Sequence, residues 1–330
     1  MTIILDAMGS DKYPDPELEG SIEALKLIND DIILVGDEAI ITPKLNLLAP
    51  NHPNITIEHA PQVVDMWDKP VESAQKKPNN SMAIGVRLVK EGKGQAFVTA
   101  GNTGGAMFNA LRVLGRIKGV QRPALSAIFP TRKGNCIVVD IGANADCRPD
   151  FLQQFAILGS IYAQNVLKKS NPRVGLLSNG EEAGKGNQLV KDTFKLLSTS
   201  KINFLGNVEP KELFAGDVDV VICDGFTGNV LVKSSEAVAK MITDVLKEEL
   251  MGSLRTKIGA LFAKPAFSKI KNLVDPSEIG AAPLLGIDGL VFVGHGRSDA
   301  RAIVSSLLLA EKAIKSGLMA EMKNKISENL

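Results

Sequence analysis

Short apolar, β-branched runs, each followed by a Gly/Asn/Asp turn and then by a longer amphipathic stretch, constrain this chain more than any other feature. A chain that alternates in this way builds α/β structure, because period-2 and period-3.6 segments take turns burying their apolar sides against one another. Strands are expected at residues 3–5, 32–35, 55–58, 96–99, 124–129, 137–139, 174–177, 218–222 and 290–293. Helices are expected at 16–28, 81–90, 106–114, 150–167, 185–197, 230–250 and 298–316. The strand runs lack polar alternation, as a mostly parallel sheet covered on both faces requires. Gly92 and Gly317 stand where helix C-caps need a left-handed residue.

A chain of 330 residues has length for two domains. No repeat, low-complexity stretch or Pro/Gly-rich linker separates them, so two interleaved α/β subdomains are expected: 1–100 with 275–330, and 101–274. Within the second, the segment 247–272 is amphipathic and basic. Leu254, Ile258, Leu261 and Phe262 recur at helical spacing among Arg255, Lys257, Lys264, Lys269 and Lys271, and Pro265 is expected to break it into two short helices. Its apolar side suits either a lipid surface or a packed dimer interface.

The composition narrows the function. The 38 basic residues balance 37 acidic ones and aromatics make up 5%, which disfavours nucleic acid and stacking surfaces. Cys136, Cys147 and Cys223 cannot all pair and lack zinc spacing, so they read as reduced thiols. The start Thr2-Ile3-Ile4-Leu5-Asp6 reads as a strand rather than an export signal, and no run of eighteen apolar residues appears. A cytoplasmic location is expected.

Small and polar residues gather just after the strands, where an open parallel sheet presents ligand loops. Residues 6–11 read DAMGSD, 100–105 read AGNTGG, 140–147 read DIGANADC and 223–229 read CDGFTGN. One such loop is ordinarily turn chemistry, and Asn102, Asn144 and Asn229 each suit a left-handed turn without any ligand. Four in equivalent places point to one anion-binding pocket. Lys185 lies between Gly184 and Gly186, which let backbone and ammonium approach a ligand together. A surface lysine is otherwise only solvated. His295 follows the last strand in GHGRSD, where structural and catalytic readings stand level. GxSxG, HExxH, GxxxxGK[ST] and a first-strand GxGxxG are absent from the sequence. Serine hydrolases, zincins, P-loop NTPases and ordinary Rossmann dehydrogenases are thereby disfavoured.

At these residues the chain resembles the bacterial phosphate acyltransferase family of phospholipid synthesis, the PlsX type. The motifs carrying the resemblance are LDAMGSD, KPVESAQKKPNNSM (69–82), AGNTGG, DIGANADCRPDFLQQFA (140–156), NPRVGLLSNGEEAGKGN (171–187), NFLGNVEP (203–210), CDGFTGNVLVK (223–233), GAAPLLGI (280–287) and GHG. The resemblance implies a fold like that of isocitrate and isopropylmalate dehydrogenases, with an inter-domain cleft and a homodimer. It implies transfer of a long acyl group from acyl carrier protein to inorganic phosphate without a nucleotide, and no cofactor or metal is expected. The product would pass to a membrane glycerol-3-phosphate acyltransferase. It implies Lys185 and Asn229 as catalytic residues. The chain departs from the family at Ser178-Asn179-Gly180, usually Asn-Ile-Gly, at Ser234-Ser235-Glu236-Ala237, usually Thr-x-Glu-Gly, and at Arg297-Ser298, usually Ser-Ser. Arg297 could therefore add a phosphate ligand.

That reaction asks for anion handling rather than a strong base. Phosphate is already largely dianionic, and a thiol of pKa ~8.5 leaves with little help. Lys185 is expected to neutralise phosphate, Asn229 to donate to phosphate or to the carbonyl oxygen, and Asn102, Thr103, Gly104 and Gly105 to cradle phosphate. Asp6, Gly9, Asn144, Asp224 and His295 are expected to line the substrate site. Leu254, Ile258, Leu261, Phe262, Lys257 and Lys264 are expected to meet membrane or carrier protein. The competing enzyme reading, a metal-dependent β-decarboxylating dehydrogenase, needs Asp224 with Asp6 or Asp140 around a divalent ion. A non-catalytic scaffold would explain the amphipathic segment but leave the polar loops idle.

Overall fold

The computed structural model describes residues 1–329; the side chains of 268, 269, 271–274, 276 and 329, which include Lys269 and Lys271, lie outside the described residues. Eleven strands form one sheet: β1 (Thr2–Asp6), β2 (Asp31–Gly36), β3 (Ile55–His59), β4 (Ala96–Thr99), β5 (Ala124–Thr131), β6 (Gly134–Val139), β7 (Val174–Leu177), β8 (Phe204–Val208), β9 (Val220–Ile222), β10 (Ala282–Leu285) and β11 (Leu290–Val293). Twelve helices accompany them: α1 (Asp15–Ala24), α2 (Glu38–Leu48), α3 (Pro70–Lys76), α4 (Ser81–Lys90), α5 (Thr103–Val113), α6 (Pro149–Asn165), α7 (Gln188–Ser198), α8 (Pro210–Ala215), α9 (Gly225–Met251), α10 (Leu254–Val274), α11 (Ala300–Lys315) and α12 (Leu318–Asn329).

The sheet order is β3-β2-β1-β4-β11-β10-β5-β6-β9-β7-β8. Neighbours pair in parallel except at β11–β10, β10–β5 and β5–β6. Three consecutive antiparallel pairings leave β6, β9, β7 and β8 running opposite to β1, β2, β3, β4 and β11. The strands are apolar because both faces are covered: β4, β7, β9 and β11 are buried along their whole length. α11 packs on α1 and on β4 and β11, while α6 packs on β6 and β9. Phe97, Phe155, Tyr162 and Phe292 are buried in this core.

All nine expected strands are present. β8 and β10 are additional, one carrying Gly206 at positive φ and the other holding Pro283. The 185–197 helix starts later than expected, at Gln188, because the Asn187 side chain caps Val190 N–H and leaves Lys185 in the loop. Gly92 and Gly317 both take the left-handed conformation just past their helices.

Pro265 does not divide the amphipathic segment. α10 runs through it, and the break falls at Gly252 and Ser253, where Ser253 Oγ accepts from Thr256 N–H at 3.1 Å. An exposed helix interior lets water solvate the carbonyl that Pro265 leaves without a donor, whereas the Ser253 capping box gives a new helix a definite start. α10 packs against α9, and Leu254, Ile258, Leu261, Phe262, Lys257 and Lys264 are all exposed.

Candidate active site

The strand reversal sorts the polar loops into two groups. Leu5 pairs with Val98 and Thr99 with Val293, so the loops at 6–11, 100–105 and 294–299 leave the sheet together. Val139 and Leu176 both pair with Ile222, so the loops at 140–147, 178–187 and 223–229 form a second group. The expectation of one common ligand edge is corrected accordingly. α9 joins the groups, because it begins in the second and reaches the first at Glu236, which binds Arg297 at 3.1 Å.

In the first group several expected ligand residues are engaged in holding the backbone. Asp6 is fully buried and accepts from Thr99 Oγ1 at 2.7 Å and Met8 N–H at 3.0 Å; burial raises its pKa. Gly9 is small because a Cβ there would stand 2.9 Å from the backbone nitrogens of Ala100 and Gly101. The loop closes on its neighbour through Asp11 N–H to Gly296 O, 2.6 Å. Beneath it lies Glu17, buried, with Oε1 accepting from Ser10 N–H at 2.8 Å and Oε2 unpartnered. Burial pushes its pKa up to about 7.

Asn102 caps α5. Its Oδ1 accepts from Gly105 N–H, and its Nδ2 donates to the carbonyls of Asp65, Met66 and Asp68. That amide is committed to structure and is not free for phosphate. A Cβ on Gly104 would meet Pro70 and one on Gly105 would meet Val64, so close packing of α3 and the 60–69 segment explains both glycines. Thr103 and Gly104 are the first helical residues, whose N–H groups have no intrahelical acceptor, and Thr103 is exposed. The anion cradle of AGNTGG thus contracts to these two.

The second group is organised by Asp140. Its buried carboxylate accepts from the N–H groups of Leu125, Gly142, Ala143 and Asn144 and from Asn144 Nδ2, at 2.7–3.1 Å. Asn144 also donates to Pro123 O and accepts from Gly225 N–H, so it stitches the loop to α9. Asp224 caps α9, taking Thr227 N–H and Oγ1, both at 2.8 Å. A Cβ on Gly228 would drive into the Asp140 carbonyl, which is why the helix can start so close to that loop. Asn229 is exposed at the start of the second turn of α9. Lys185 is exposed on the neighbouring loop, which is held by Asn179 Oδ1 accepting from Gly186 N–H and by Asn207 Nδ2 donating to Glu182 O.

Two connected cavities lie along α9. A charged one of about 620 Å³ is lined by His295, by the cations Lys233, Lys240 and Arg297 and by the carboxylates Glu236, Asp244, Asp275 and Asp299, among others. An apolar one of about 350 Å³ runs between α5 and α9 over β5 and β10, with Thr103, Ile141, Val232 and His295 in its wall. His295 Nε2 lies 3.8 Å from Glu236 Oε1; burial, partly opposed by that carboxylate, lowers the imidazole pKa. Lys233 Nζ lies 3.5 Å from the same carboxylate. Sequence reading missed Glu236 as a site residue; its place two turns beyond Asn229 on one helix was the available signal. Lys185 and Asn229 line neither cavity.

The thiols are not poised for chemistry. Burial raises all three, Cys147 to about 12. Asp6, Asp140 and Asp224 do not gather. Among the described residues the one acidic group close enough for a metal is Glu181, Glu209 and Glu212, and Lys211 Nζ already lies 2.7–3.6 Å from them. No described helix is long and apolar enough to cross a membrane.

Residues 1–321 match the family described as "Fatty acid synthesis protein". The chain is 45% identical over 329 residues to the phosphate acyltransferase of Elusimicrobium minutum, covering 99% of this chain and 96% of that one. It is 44% identical to that of Trichlorobacter lovleyi, with 100% and 95% covered. A phosphotransacetylase from Streptococcus pyogenes superposes with a TM-score of 0.62 at 16% identity, covering 96% and 94%. A 4-hydroxythreonine-4-phosphate dehydrogenase from Klebsiella pneumoniae gives 0.53 at 14%, covering 94% and 96%. At such low identity these two structures show a shared fold alone.

Proposed function

The chain belongs to the fatty acid synthesis protein family, and from that premise we propose that it is a phosphate acyltransferase working on acyl carrier protein thioesters in phospholipid synthesis. A phosphate oxygen attacks the thioester carbonyl, the C–S bond breaks, and the phosphate proton ends on the departing carrier thiol. The products are acyl phosphate and free carrier. The observation that carries this reading is end-to-end identity with phosphate acyltransferases, in a chain whose apolar cavity shares Glu236 and His295 with a charged one that holds Lys233, Lys240 and Arg297.

Phosphate enters among Lys233 and Arg297 of the charged cavity and is met by the N–H of Thr103, which lines the adjoining apolar one at the positive end of α5. Neutral His295, beside Glu236, donates to the developing oxyanion. Asn229 and Lys185, the residues the family resemblance implies, stand on the N-terminal side of Glu236, near the start of α9. Seven residues separate Asn229 from Glu236, about 10 Å of helix. Asn102, Asn144, Asp6, Asp224 and Gly9 support the site without touching substrate.

The finer fold reading is isocitrate dehydrogenase-like, with halves at 1–100 plus 275–330 and at 101–274 and the cleft along α9. Two helices cross between the halves: α5 packs on α3 and α4, and α12 on α6. A cytoplasmic homodimer touching the membrane, and delivery of product to a membrane glycerol-3-phosphate acyltransferase, complete the proposal. The exposed apolar residues of α10, with Lys257 and Lys264 nearby, support lipid contact. Polar replacement of Ile258 and Leu261 together is expected to reduce co-sedimentation with anionic liposomes; unchanged binding removes that part.

The reaction itself is tested by thiol release from palmitoyl-acyl carrier protein. Release that rises with phosphate concentration supports it, and release indifferent to phosphate defeats it.

A further inference from the structure

We propose that the acyl chain of the substrate lies in the trough between α5 and α9, on a floor made by Ala127 of β5 and Ala282 of β10. This rests on the acyltransferase reading above. Leu125 and Leu284 are register partners in the antiparallel β5–β10 pair. Two residues along each strand, in opposite directions, stand Ala127 and Ala282, so the alanines sit side by side on the same face. Both are only half-buried, although strand residues on either side of them are fully covered. Larger side chains wall the gap: Leu125, Phe129, Val232, Ile279 and Val293. Two small residues in adjacent rows, bounded by large ones, leave a groove rather than a packed core.

The groove has one polar end at Thr103, Glu236 and His295, and the last two also line the charged cavity. An ester carbonyl held there would project its alkyl tail over the alanines. The other end runs past Phe129 to Phe214 and Arg132, where Phe214, packed edge-on against Phe129 at 6.1 Å between centroids, is part-exposed. The trough is therefore open beyond Phe214, and a long chain can emerge instead of being stopped by a wall.

An open trough gives a particular chain-length profile. Each methylene that enters it raises kcat/KM about fourfold, and those that pass Phe214 add little. Ala127→Leu and Ala282→Leu fill the floor. In each, the ratio of kcat/KM for palmitoyl-acyl carrier protein to that for butyryl-acyl carrier protein is expected to fall at least tenfold. Val232→Phe fills the same space from the helix side and serves if the strand variants do not fold. A ratio unchanged in the folded variants, or a wild-type protein indifferent to chain length, overturns the trough. A wild-type protein that releases thiol from neither substrate overturns the acyltransferase reading instead, and that is seen before any substitution is made.

Discussion

Glu17 carries a cost that can be measured. Burial beneath the 6–11 loop, with Asp6 close by, raises its carboxyl from 4.5 to about 7. Between those values the folded chain holds a proton that the unfolded chain releases, so stability falls as pH rises and levels off above about 7. The interval corresponds to about 3 kcal/mol. Glu17→Gln keeps an oxygen for the Ser10 N–H bond, 2.8 Å in the native chain, and cannot ionise. At roughly 2.1 cal/mol/K of unfolding entropy per residue, 330 residues convert that energy into about 4 °C of Tm. Calorimetry of both proteins is expected to show a gain of about that size at about pH 8.5, shrinking to about 1 °C at about pH 4.5. Because the quantity is a difference between two pH values, packing changes common to both cancel. An equal gain at both, or a loss at the higher one, would refute the claim that this carboxyl resists ionisation.

Three further outcomes are expected. Lys185→Ala and Asn229→Ala each lower kcat by about a hundredfold, with Tm held because both side chains are exposed; near-normal turnover in both removes them from the chemistry. Glu236→Gln moves the acid limb of the kcat/KM profile to lower pH, since the carboxylate is what favours protonated His295, and an unmoved limb would mean that another group sets it. Asp140→Asn turns an amide toward a nest of N–H donors and costs about 3 kcal/mol, read as a Tm drop of about 4 °C; an unchanged Tm would show those bonds to be dispensable.

The strands were legible because runs such as Ala96–Thr99 and Val174–Leu177 are apolar on both faces and end in turn residues. β8 was not, since Gly206 interrupts the run, and α2 was hidden by Pro43 inside it. The loops were found, but their sense was not. Strand direction is decided by the β5–β6 hairpin together with the β10–β5 pairing, which joins segments far apart in sequence that local periodicity does not encode. For the same reason Asn102 and Asn144 read as ligands: residue type shows capacity to donate, whereas the carbonyls of Asp65, Met66, Asp68 and Pro123 that use this capacity come from other segments. Glu236 escaped notice because its partners His295 and Arg297 lie about sixty residues on.

Phosphate as the attacking nucleophile is what separates the proposed reaction from hydrolysis. Mass spectrometry of the product formed from palmitoyl-acyl carrier protein and phosphate carrying heavy oxygen addresses this directly. Palmitoyl phosphate bearing the label in its acyl–phosphate bridge is expected. Unlabelled palmitic acid as the principal product would instead mean that water attacks, and the account would be wrong.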